Sequence, residues 1–160
     1  MKGKKALSCI LAAALIGSSF TPWSVTGTME TKAADGDATV IDVTDFGADP
    51  GGAKDSAKAI IAALDEAEKI QKENPEEEIV IDFPTGEYQI YPDKAEEREL
   101  YVSNTVGADQ NFKNKKIGIL VEDLNNITID GNGSDFVFHG KMTTFASIRS
   151  ENVTFEDFSV

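Results

Sequence analysis

The chain has 160 residues and a formal charge of −13, enough length for one domain with a buried core. Setting aside the first 34 residues, which hold four lysines and one glutamate, leaves 11 basic and 27 acidic residues and a net charge of −16. Such a surface repels nucleic acid and anionic membranes, and suits a neutral or cationic ligand. The one cysteine, Cys9, lies in that first segment, so the remainder has no disulfide, thiolate nucleophile or cysteine metal site. A single histidine, His139, argues against a His-rich zinc site. No metal or other cofactor is expected.

Residues 1–34 read as a secretory signal peptide. Lys2, Lys4 and Lys5 precede an apolar run of 12 residues, Ala6 to Gly17, too short to span a bilayer as a stable helix. Thr31, Ala33 and Ala34 offer cleavage sites between Thr31 and Asp35. Export without stable membrane insertion is the expectation, with an uncleaved membrane anchor as the alternative. Residues 35–160 read as one domain. Val40, Ile41, Val43 and Phe46 predict a first strand, and the run from Gly47 to Gly52 a turn.

Asp55 to Asn74 predicts a helix. Ala57, Ile60, Ile61, Leu64, Ala67 and Ile70, or Gln71 in its place, form an apolar stripe at helical spacing. Asp55 or Ser56 is the N-cap, Asp65 and Lys69 a favourable pair, and Asn74-Pro75 the stop. Glu76 to Glu78 reads as a solvated turn. Ile79 to Phe83 and Glu87 to Tyr91 read as strands around the turn Pro84-Thr85-Gly86, with Tyr88 and Ile90 on one face. Pro92 to Lys116 is polar and aperiodic, an excursion that reads as functional or disordered.

Further strands are expected at Ile117–Val121, Leu124–Asp130, Phe136–His139 and Thr144–Ile148, with a turn at Gly131–Ser134. Asn126-Ile127-Thr128-Ile129-Asp130 then returns, 26 residues on, as Asn152-Val153-Thr154-Phe155-Glu156. Each copy alternates apolar and polar residues, as a half-buried strand does. A strand that returns at a fixed displacement points to stacked turns of chain. The expectation is an all-β solenoid, a right-handed parallel β-helix with the helix as its N-terminal cap. Ile127 should lie beside Val153, and Asn126 and Asn152 should share an amide ladder. The pattern is still running at Val160, which predicts the N-terminal piece of a longer protein.

Asp45-Phe46-Gly47-Ala48, the Ala-rich helix, and Ile81-Asp82-Phe83-Pro84-Thr85-Gly86-Glu87-Tyr88 resemble the N-terminal cap and first coil of the pectate-lyase-like β-helix superfamily. The stretches Tyr91 to Arg98, Tyr101 to Asn104, Ile127 to Gly131 and Phe138 to Gly140 are similar to the start of the bacterial α-1,3-galactosidases. That narrower resemblance implies a secreted bacterial glycoside hydrolase that removes terminal α-linked galactose with inversion. It implies a carboxylate acid and base, roughly 6.5–9.5 Å apart, and no metal. The family's catalytic acids would fall beyond Val160, so none is assigned to a residue here.

For binding, His139 is the candidate to hydrogen-bond a sugar hydroxyl, with a packed structural histidine as the alternative. Arg98 and Tyr101, with Tyr91 and Asn104, are candidates for stacking and hydrogen bonding from the excursion, with a self-packed loop as the alternative. Glu156 and Asp157 are adjacent and point to opposite faces of a strand unless a turn intervenes. Asp130 reads as a turn cap. The glycosylation-type sequons at Asn126, Asn132 and Asn152 carry no weight in repeat turns. Gly131-Asn132-Gly133 is not followed by a helix, so it is not a phosphate loop. A pectin-type lyase or polygalacturonase, and a non-catalytic carbohydrate-binding or adhesive surface, are the competing readings. Only Arg98 and Arg149 supply arginines, few for an acidic pectin substrate.

Overall fold

Alternating apolar residues build the centre of the fold. The computed structural model describes residues 38–101 and 113–160. The signal-peptide expectation and the candidate Asn104 lie outside the described residues. The strands are β1 (Thr39–Asp42), β2 (Gly51–Asp55), β3 (Ile79–Asp82), β4 (Glu87–Ile90), β5 (Glu96–Glu99), β6 (Asn114–Glu122), β7 (Asn125–Phe138), β8 (Thr143–Ile148) and β9 (Glu151–Ser159). A 3-10 turn covers Val43–Phe46, and one helix, α1, covers Ala57–Glu73.

Six strands form a sheet in the order β1-β3-β7-β4-β2, with β9 also on β7. All its pairs are parallel. β7 is 14 residues long and pairs with three strands, β3, β4 and β9. Its first half pairs with β3, Ile127 facing Ile79, and its second half with β4, Phe136 facing Tyr88. Between the halves the chain bends through Asn132 and Gly133, both at positive φ, so the sheet curls. Asp130 Oδ1 accepts the Asn132 N–H at 2.9 Å. The Asn132 amide donates to Asp82 Oδ1 at 2.7 Å, and Thr85 Oγ1 donates to the Asn132 carbonyl at 2.7 Å. Asp130 thus caps the bend. The predicted turn at Gly131–Ser134 is a bend inside one strand.

The inner face of the curl is filled by Ile79, Ile81, Ile127 and Ile129, all buried. Each contributes about 1.5–3 kcal/mol by leaving water. Phe83, Tyr88 and Phe136 form an aromatic cluster with centroids 4.8–5.9 Å apart. The buried Tyr88 hydroxyl donates to the Pro84 carbonyl at 2.6 Å.

Helix α1 lays Ala57, Ile60, Ala63, Leu64 and Ala67 against this core. Its entry divides two tasks: Asp55 Oδ1 accepts the Ala57 N–H at 3.0 Å, while Ser56 Oγ accepts the Asp49 N–H at 3.1 Å. Gln71 continues the buried stripe as a polar residue. Its Oε1 accepts the Asn125 N–H at 3.0 Å, and its amide donates to the carbonyls of Asn125 and Glu77. Lys69 pairs with Glu66 at 2.8 Å rather than with Asp65.

The structure corrects the expected all-β solenoid, the right-handed parallel β-helix. Partner strands do not return at one displacement: Thr39 faces Ile79 after 40 residues, Ile79 faces Ile127 after 48, and Ile127 faces Val153 after 26. A second, three-stranded sheet, β5-β6-β8, is mixed. Its β5–β6 pair is antiparallel, with Glu96 facing Ile117. Strands β5 and β6, near the two ends of the predicted excursion, therefore run in opposite directions. Among the described residues the result is a curled parallel sheet, one packed helix and a mixed second sheet.

The pairing of the two repeat copies does hold. Ile127 faces Val153 and Ile129 faces Phe155 in parallel register. The Asn152 amide donates to Asn126 Oδ1 at 2.8 Å, and both residues sit at positive φ, a conformation asparagine tolerates. Arg149 and Asp123, also 26 residues apart, stack in the same way with two bonds of 2.6 Å. β6 and β8 pair at that displacement too, Ile119 facing Phe145.

Candidate functional site

The three binding candidates fall on separate elements. His139 follows β7, Arg98 lies on β5, and Tyr101 stands just beyond β5. Tyr101 is 75 % exposed, its hydroxyl bonded to Glu99 at 2.6 Å and to Lys113 at 3.3 Å. Lys113 Nζ lies 5.1 Å from its ring centre.

Arg98 lines a cleft of about 180 Å³ between α1 and β6, floored by Ile61, Leu64 and Leu120. Ligand pockets usually measure roughly 300–1,000 Å³, so this one admits a single small ring at most. The guanidinium is already engaged. Its Nε donates to Glu122 at 2.8 Å, and its Nη1 donates to Glu96 at 2.7 Å. Arg149 closes the network by donating to Glu122 at 2.9 Å and to Asp123.

These contacts decide what the carboxylates can do. The hydrogen bond from Arg98 holds Glu122 below the usual glutamate range, and Arg149 does the same for Asp123. Glu99 is lowered by its bond to the Tyr101 hydroxyl. A general acid in glycoside hydrolysis needs the opposite shift, upward, to hold its proton near neutral pH. The cleft is therefore lined by an ion-paired network. Glu156 and Asp157 are both exposed, and Asp157 sits at positive φ in a bend, the intervening turn that strand geometry requires. Among the described residues no group of three or more His, Cys, Asp or Glu side chains is placed to hold a metal ion.

The outer face of the curled sheet is different. On β4, Tyr88 and Ile90 point inward, so Glu87, Gln89 and Tyr91 point out. On β7, Asp135, Val137 and His139 share that outer face beside them. The Tyr91 and His139 rings stack with centroids 4.0 Å apart and planes within 1°. His139 Nε2 is bonded to Gln89 Oε1, and the Gln89 amide donates to Glu87 Oε1 at 2.6 Å. Asp55 accepts the Tyr91 N–H at 3.3 Å and pairs with Lys94 at 3.5 Å. His139 is half-buried and Tyr91 is 40 % exposed. His139 thus has a side-chain partner. Sequence reading singled out Tyr91 and His139 but not Gln89 or Glu87, which look like ordinary outward strand residues. The signal available was their spacing of two from Tyr91.

Against known proteins, one relation dominates. The chain is similar to α-1,3-galactosidases over about three quarters of its length. It is 53% identical over 120 residues to alpha-1,3-galactosidase A of Streptomyces avermitilis, covering 75% of this chain and 18% of that protein. It is 54% identical over 121 residues to the protein of that name from Peterkaempfera griseoplana, covering 76% of this chain and 16% of that one. The alpha-1,3-galactosidase B of Phocaeicola vulgatus is 37% identical over 121 residues, covering 76% and 19%. The chain spans less than a fifth of the length of these curated relatives. No protein-family model matches it.

Proposed function

We propose that these residues belong to a secreted glycoside hydrolase that removes terminal α-linked galactose. The observation that carries this reading is identity of 53–54% over about 120 residues with proteins named alpha-1,3-galactosidase A. The net charge supports a neutral substrate over an acidic pectin, because a surface of −16 repels uronates. Lys2, Lys4 and Lys5 ahead of the apolar run support export.

The mechanism we infer is inversion by two carboxylates. Glu122, Asp123 and Glu99 are shifted the wrong way for the acid. We assign the acid and base to the part of the relatives' length that this chain does not span. The contribution of this stretch is a scaffold and part of the sugar-contacting surface. The test is galactose release from an α-1,3-linked galactoside by the whole protein that carries these residues. Release supports the reading. Cleavage of pectin without galactose release overturns it.

A further inference from the structure

We propose that Asn132 is a spontaneous deamidation site, restrained in the folded chain by Asp82 and Phe83, and that its conversion loosens the bend inside β7. The inference goes beyond the hydrolase reading and does not rest on it. Asn132-Gly133 is the one Asn-Gly pair in the chain. Asparagine is thermolabile, most of all before glycine, because a residue with no Cβ lets its backbone nitrogen reach the preceding side-chain amide. Both residues are exposed, and nothing lies within 4 Å of where a Gly133 Cβ would stand, so water reaches the pair. In the reaction the Gly133 nitrogen attacks Asn132 Cγ. The N–Cγ bond forms, the Cγ–Nδ2 bond breaks, and ammonia leaves with the Gly133 amide proton. Water then opens the five-membered imide at either carbonyl, leaving aspartate or a backbone-lengthened isoaspartate.

The fold restrains the first step. The Asn132 amide donates to Asp82 Oδ1 at 2.7 Å and to the Phe83 carbonyl at 3.2 Å, and ammonia cannot leave until both bonds are given up. Asp130 on the Asn132 N–H and Thr85 on its carbonyl hold the backbone on either side. The same contacts make the product costly. The register of β3 and β7 sets Asp82 beside Asp130, and β9 sets Glu156 beside Asp130. Like charges that face each other across strands destabilise a sheet. Asn132 is the donor between the first two acids, its amide on Asp82 and its N–H on Asp130. Deamidation replaces that amide with a carboxylate, so a hydrogen bond to Asp82 becomes a like-charge contact, and β3 loses its tie to the bend.

The test is peptide mapping by mass spectrometry of the purified chain held at mildly alkaline pH, in buffer and in urea. Asn132 should convert about tenfold or more faster in urea than in the folded chain. In folded Asp82→Ala, with folding checked by far-UV circular dichroism, conversion should rise by about tenfold, the rate equivalent of one hydrogen bond to a charged group. Equal rates in buffer and in urea overturn the proposal, as does a folded Asp82→Ala chain that converts no faster than the parent. A second measurement holds even where Asp82→Ala does not fold. Asn132→Asp, the product itself, should lower the urea midpoint, and adding Asp82→Asn, which moves the donor to the opposite strand, should recover most of the loss. An Asn132→Asp chain as stable as the parent, or one that Asp82→Asn fails to rescue, overturns the proposal.

Discussion

Replacing Gln71 with leucine separates pattern from structure most sharply. On the helical stripe, Gln71 occupies an apolar position, and leucine there should strengthen α1. The structure reverses that. Gln71 is 8 % exposed and satisfies both backbone groups of Asn125, at the start of β7, and the Glu77 carbonyl. Leucine would orphan the Asn125 N–H and C=O, at about 1–3 kcal/mol each. Its added apolar burial offsets about 1–2 kcal/mol, and its helix propensity differs negligibly from that of glutamine. Gln71→Leu should therefore destabilise by about 2 kcal/mol. In a domain of this size that lowers the melting temperature by about 6–12 °C. Urea denaturation followed by far-UV circular dichroism measures it. A variant as stable as the parent, or more so, would refute the claim that Gln71 clamps α1 to β7.

Gly131→Ala should also destabilise, by about 1–3 kcal/mol, because a Cβ there would lie 2.5 Å from Phe158 Cβ and 2.6 Å from the Asp157 carbonyl. Hydrogen exchange should locate the loosening in β9. Burial pushes the Tyr88 hydroxyl up to about 12, so one of the three tyrosines should titrate late in an absorbance titration. The stability tied to the neutral phenol is complete below 10 and is lost as pH rises toward 12; Tyr88→Phe should flatten that alkaline limb. Glu122 has the opposite sign. Its carboxyl is held down by Arg98 and then Arg149, so its contribution is present above 4.5 and lost as pH falls below that value. Glu122→Gln should weaken the acid dependence of stability, measured by urea midpoints across that range.

Where the sequence repeats in step with the backbone, it is readable. The alternation in Ile127-Thr128-Ile129 and Val153-Thr154-Phe155 locates two parallel neighbours, and Asn126 and Asn152 locate the ladder between them. α1 is legible because apolar residues at helical spacing leave few alternatives. β2 is hidden because Gly51-Gly52-Ala53-Lys54-Asp55 has turn composition, and its pairing with β4 is a tertiary decision. β5 is hidden because Glu96-Glu97-Arg98-Glu99 alternates nothing apolar; its antiparallel return is held by Arg98 with Glu122 and Lys116 with Glu97. The solenoid expectation extended the last displacement of 26 to the whole chain. The helix and the excursion lengthen the earlier displacements to 40 and 48. On the outer face of the curled sheet, ring chemistry marks Tyr91 and His139. Nothing local marks Gln89, whose role exists only once β4 and β7 lie side by side.

The most direct test is proton NMR of the whole protein acting on an α-1,3-linked galactoside. The account predicts free galactose, appearing first as the β-anomer, as inversion of an α-linkage requires. An untouched substrate would contradict the assignment, and α-galactose appearing first would contradict the mechanism.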